Sequence, residues 1–170
     1  FFVREWLTDR PLTYLWSHML IMPLIDLYAT SCDWLVHGAS RPPDGIIWFL
    51  IVSFFNGVLI EFGRKIRSPA DEETGVNTYS ALWGPHRAAQ AWTLALTLNL
   101  TAAGFAASRS DTLLPTLGLL IPCYLGAVVV VAKFLQHKSG TAAKRIELAS
   151  GLWTLAMYLT LGPIALWIHA

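Results

Sequence analysis

Seven charged side chains crowd into the short stretch from Glu61 to Glu73. Glu61, Asp71, Glu72 and Glu73 offer hard carboxylate oxygens, and Arg64, Lys65 and Arg67 offer cations. Magnesium is commonly held by one or two carboxylates together with phosphate oxygens of a substrate. Arginine forks onto phosphate oxygens and lysine meets them as a point charge. Both sets in one loop suit a diphosphate. The bland alternative is a solvated basic loop, in which Glu61 and Lys65, four residues apart, form a helical ion pair.

A second group sits where charge is costly. Asp26 lies midway along an apolar tract, and an ionised group at a bilayer centre costs at least a few kcal/mol. His18 and Asp33 flank it at about two helical turns each, a spacing that allows one stripe facing the bundle interior, although Asp33 falls nearer the outer surface and is expected to be solvated. That stripe reads either as a wall for an acceptor or a proton-handling group, or as a hydrogen-bonded carboxyl that joins helices. Asn56 reads either as an interhelical hydrogen-bonder or as a contact to the diphosphate.

The elements that must hold these groups follow from hydropathy. The chain has 170 residues, 55% hydrophobic and 14% charged, with a mean hydropathy of +0.50. An ordinary soluble domain carries roughly 25% charged residues. A helix needs roughly 20 mainly apolar residues to span a bilayer. Five tracts approach or exceed that length, at about 11–35, 45–62, 88–107, 113–132 and 148–169. The expectation is an all-α integral membrane protein forming one domain over 1–170, with a charged loop at 61–84. Pro23, Pro122 and Pro163 are expected to kink the first, fourth and fifth spans. Ala102, Ala103, Gly104, Ala106 and Ala107 permit close packing of the third.

Placing alternate loops on opposite sides separates the cations. Arg4, Arg10, Arg64, Lys65, Arg67, Arg87, Lys133, Lys138, Lys144 and Arg145 fall on one side, and Arg41 and Arg109 on the other. The positive-inside rule then makes the 61–84 loop cytoplasmic, and a bacterial inner membrane is the expected location. Trp6, Trp16, Trp34, Trp83 and Trp167 fall near span ends, as interfacial aromatics do. Cys32 and Cys123 have neither metal nor redox spacing and read as small buried thiols. Asn99 and Thr101 form a glycosylation sequon inside a span, where it is expected to be inert. The opening Phe1, Phe2, Arg4 and Glu5 lack the pattern of a secretory leader, so a piece of a longer or processed chain is one expectation. No nucleic-acid partner is expected.

The order of residues in the loop carries a resemblance. Asp71 is followed by Gly75, Thr78 and Gly84, and preceded by Asn56 and Glu61 on the incoming span. This resembles the second aspartate-rich motif of the UbiA superfamily of intramembrane prenyltransferases. The run from Ser17 through His18 and Asp26 to Thr30, and the placement of the five spans, are similar as well. The resemblance covers that family's C-terminal half, helices five to nine, so it implies a five-helix half of a nine-helix UbiA-like bundle. The first aspartate-rich motif is not found in this chain. Arg64 and Arg67 stand where the family's two earlier aspartates fall, which implies a more basic site that uses fewer metal ions.

The implied activity is transfer of a prenyl group from a polyprenyl diphosphate to a lipophilic, often aromatic acceptor, with Mg²⁺. Implied catalytic residues are Glu61, Arg64, Lys65 and Asp71, with Glu61 and Asp71 as metal ligands. Asn56, Arg67, Asp26 and Tyr79 are implied in substrate binding. Phe54, Phe55, Tyr14, Tyr28 and Trp92 are candidates to shelter a cation-like allylic carbon. An N-terminal half or a partner subunit is expected to complete the site. The competing readings are a non-catalytic UbiA-like subunit binding lipid or isoprenoid pigment in a larger assembly, and a transporter half that uses Asp26.

Overall fold

The computed structural model describes residues 6–7 and 10–169; Arg4, one of the cations on the basic side, lies outside them. The described chain is helical, with α1 Pro11–Met19, α2 Ile21–Trp34, α3 Ile46–Lys65, α4 Tyr79–Trp83, α5 Pro85–Arg109, α6 Leu113–His137, α7 Gly140–Leu159 and α8 Ala165–His169. Among the described residues, three helical stretches are long and apolar enough to cross a membrane: Ile46–Lys65, Leu113–His137 and Gly140–Ile168. This is the pattern of a membrane-associated helical bundle.

The first expected span is two helices. The chain breaks between Met19 and Ile21, about one turn before Pro23. A proline ring clashes with the carbonyl four residues earlier and cannot donate to it, and for Pro23 that carbonyl belongs to Met19. Pro122, in contrast, lies within an uninterrupted α6. Pro163 sits in a π-helical turn, Thr160–Ile164, between α7 and α8. α5 is long enough to span but less apolar, because Gln90, Thr93, Thr97, Asn99 and Thr101 punctuate it.

α3 is the central helix. Its most apolar window is 56% buried, against 22% for those of α6 and the α7 stretch. Small residues let its neighbours approach. A side chain at Gly57 would collide with Met19 Sδ at 2.8 Å, and one at Gly63 would collide with Ser150 Oγ and come within 3.2 Å of the Glu147 backbone. Ala88, Ala89, Ala103 and Ala107 on α5 are fully buried, as close helix packing requires. Trp92 on α5 and Trp153 on α7 are the largest fully buried side chains of the core among the described residues. The apolar faces of α2, α6 and α7 remain exposed, with Leu24, Tyr28, Leu125 and Leu152 all more than half accessible.

Candidate functional site

α3 continues past its apolar tract because Arg64 and Lys65 suit a last helical turn, where the partial negative charge of the helix end attracts cations. Ile66 turns extended, with ψ 112, and ends it. The next residues form an ordered strap. Ile66 is 2% exposed and acts as its anchor. The Arg67 backbone N–H donates to Ser80 Oγ at 2.9 Å. Pro69–Asp71 forms a 3₁₀ turn, closed by Ser68 Oγ donating to Asp71 Oδ2 at 2.7 Å. Thr78 caps α4 by accepting from the Ala81 N–H at 3.1 Å, and its hydroxyl donates to Glu72 Oε2 at 2.6 Å. Gly75 and Gly84 take φ of 84 and 81, which side-chain-bearing residues rarely adopt.

The strap, the end of α3 and the start of α7 enclose a cavity of about 840 Å³, within the range of roughly 300–1,000 Å³ usual for ligand pockets. Arg64, Lys65, Arg67 and Lys144 line it together with Asp71, Glu72, Glu73 and Glu147. Arg67 Nη1 donates to Glu73 Oε1 at 3.0 Å. Among the described residues, Arg64 and Lys144 make no ion pair. Asp71 rests against Gly140, the first residue of α7, where the helix dipole favours an anion. Glu72 Oε1 is buried and has no hydrogen-bond partner among the described residues.

The structure spreads the sequence-derived site residues over two levels. Arg64, Lys65, Arg67 and Asp71 meet at the cavity. Glu61 does not line it. Glu61 lies inside the bundle, 8% exposed, and Lys65 Nζ pairs with its Oε1 at 2.7 Å. The same ammonium stands 5.0 Å from the ring centre of Tyr14 and 5.7 Å from that of Tyr79. Tyr79 is a core side chain, 2% exposed, packed on Phe62 and Trp83. Burial first, then the neighbouring Glu61 and Tyr14, raises its pKa well above the ordinary tyrosine value. Asn56 lies about 1.4 turns deeper in α3 than Glu61, fully buried, and its Oδ1 accepts from Asn99 Nδ2 at 2.9 Å. That contact realises the interhelical alternative. The sequon's Asn99 is thus in the core, while its Thr101 is exposed.

Asp26 is half-buried. It accepts from the Tyr158 hydroxyl at 3.1 Å, which bridges α2 to α7. His18 is exposed and does not share an interior face with Asp26, and Asp33, expected to be solvated near the outer surface, is exposed. Of the aromatic candidates, Trp92 is fully buried and donates to Ser150 Oγ at 2.8 Å. Phe54 packs between Trp16 and Phe55, and Tyr28 is 73% exposed. Cys32 is exposed and Cys123 half-buried, so neither is the fully buried thiol expected.

Sequence reasoning missed the contribution of α7 to the cavity and the Asp26–Tyr158 bridge. A usable signal was present: polar residues inside separate apolar tracts, such as Asp26, Asn99, Ser150 and Tyr158, need partners across helices. No known protein family, curated protein or solved structure matches the chain.

Proposed function

We propose that the chain is the diphosphate-binding half of an intramembrane prenyltransferase, spanning the membrane five times with the 61–84 loop on the cytoplasmic side. The observation that carries this reading is the large cavity at one end of an apolar bundle, with Arg64 and Lys144 on its wall and in no ion pair among the described residues. A diphosphate would sit between Arg64, Arg67 and Lys144, with its isoprenoid tail running along the bundle. The arginines would stabilise charge that develops on the departing diphosphate, and apolar helices would keep water from the allylic carbon.

The donor set fits one Mg²⁺ shared with the substrate. Asp71 and Glu72 lie side by side on the wall, and Glu72 Oε1 is an unsatisfied buried acceptor among the described residues. Among the described residues, no group of three or more His, Cys, Asp or Glu side chains is arranged to hold an ion, so phosphate oxygens and water would complete its shell. Bound there, Mg²⁺ would neutralise diphosphate charge. Glu61, held by Lys65, would then act indirectly by positioning that lysine at the cavity edge.

The test is binding of farnesyl diphosphate to the purified full-length protein, followed by prenyl transfer with Mg²⁺. Arg64→Gln is expected to weaken binding about tenfold. Unchanged binding in a folded variant would leave the non-catalytic lipid-binding subunit as the better reading. Arg64 and Arg67, standing where the family has aspartates, already favour that second reading. Binding without transfer in the full-length protein would select it.

A further inference from the structure

The opposite end of the bundle holds a second cavity, of about 380 Å³, which the diphosphate reading does not use. It lies where the start of α3, the end of α5 and the π-helical turn meet. Two charges stand at its rim, Asp44 and Arg109, both exposed. Among the described residues neither makes an ion pair. Arg109 packs close over a glycine: Gly45 has φ of 89, and a side chain there would collide with Arg109 Cβ at 2.7 Å and Cγ at 2.9 Å. The arginine stem therefore lies across the first turn of α3.

The walls below that rim are apolar, with Ile46, Phe49 and Leu161. Tyr158 also lines the cavity, its hydroxyl fixed by Asp26. π-helical turns recur at functional sites, because their extra residue per turn opens the backbone, and here the turn supplies Leu161 and Gly162 to the wall. The surface around this end continues apolar: Ile47 is 59% exposed, Leu114 85% and Leu166 74%. An occupant of this cavity meets a cation and an anion at the rim and hydrocarbon beside and below.

We infer that the cavity binds a phospholipid whose headgroup carries both a phosphate and a primary ammonium. Arg109 forks onto the phosphate, Asp44 accepts from the ammonium, and the apolar wall takes the glycerol and first methylenes. An anionic headgroup with no ammonium leaves Asp44 facing like charge. A quaternary ammonium has no N–H to donate to it. A small soluble zwitterion leaves the apolar wall unused.

The experiment is native mass spectrometry of the purified full-length protein in detergent with equal amounts of phosphatidylethanolamine, phosphatidylcholine and phosphatidylglycerol. The expected result is one retained phosphatidylethanolamine per chain, at least fivefold preferred over each of the others. Asp44→Asn and Arg109→Gln are each expected to abolish the preference while leaving farnesyl diphosphate binding at the far end unchanged, so this inference fails or stands separately from the proposed function. Equal retention of all three lipids by the wild-type protein overturns it. Displacement of the lipid by soluble phosphoethanolamine as readily as by a short-chain phosphatidylethanolamine also overturns it, and assigns the cavity to a free zwitterion. These two comparisons use the wild-type protein alone, so they decide the matter even where either substitution misfolds.

Discussion

The Asp71 carboxylate lies directly against Gly140, the first residue of α7, and a methyl group at that glycine would occupy the same space as Asp71 Oδ2. The contact ties the strap to the second wall of the cavity and seats an anion at a helix N-terminus. Asp71 is therefore positioned from two sides, by Ser68 within the strap and by α7 across the cavity.

Gly140→Ala should push Asp71 off that seat, because the added methyl group takes the space of the carboxylate. The expected outcome is a several-fold loss in Mg²⁺-dependent affinity for farnesyl diphosphate. Titration with and without chelator measures it. Asp71→Asn should remove most of the Mg²⁺ dependence and, with one anion fewer at the site, strengthen metal-free binding. Equal Mg²⁺ dependence in Asp71→Asn and the wild type would sink the proposed metal role.

The Trp92–Ser150 hydrogen bond is buried and joins α5 to α7. Ser150→Ala leaves a buried indole N–H without a partner and should cost about 1–3 kcal/mol. Gly63→Ala attacks the same junction sterically, against Ser150 and the Glu147 backbone, and should cost a similar amount, about 1–3 kcal/mol by overpacking. Unfolding in mild detergent checks both, and a double variant should be non-additive because the two sites share Ser150.

Tyr79 makes stability depend on alkaline pH. Its pKa in the folded chain is raised by burial and by Glu61, while in the unfolded chain it titrates near the ordinary value of about 10. The folded state then holds its proton more tightly than the unfolded one. The resulting stabilisation is fully present below about pH 10 and is lost as pH rises further toward the folded pKa. Thermal midpoints measured from about pH 8 to about pH 11 should fall at the upper end, and Tyr79→Phe should flatten that fall.

The Asp26–Tyr158 bond is expected to be structural. Asp26→Asn keeps an acceptor for the Tyr158 hydroxyl and should leave the fold intact, whereas Tyr158→Phe should cost about 0.5–1.5 kcal/mol. Substrate-driven proton flux in liposomes that disappears in Asp26→Asn would instead revive the transporter reading.

The positions of most helices were legible in the residues themselves. Apolar runs of spanning length must form helices in lipid because every backbone N–H and C=O has to be paired within the segment. The turn from Ala39 to Asp44 and the Ser108–Asp111 connection end those runs with Pro, Ser and charge. The Glu61–Lys65 pair was legible too, because i, i+4 spacing on a helix is local geometry. Three-dimensional packing decided which polar groups met. Asn56 turned inward to Asn99 and Asp26 to Tyr158, partners 43 and 132 residues away. Spacing cannot forecast such pairs, since the rotation of each helix about its axis depends on how all its neighbours pack. The same reason hid the α7 wall of the cavity. Lys144 and Glu147 look like ordinary charge just before the fifth apolar tract until α7 packs against Gly63 and brings them opposite Arg64 and Asp71.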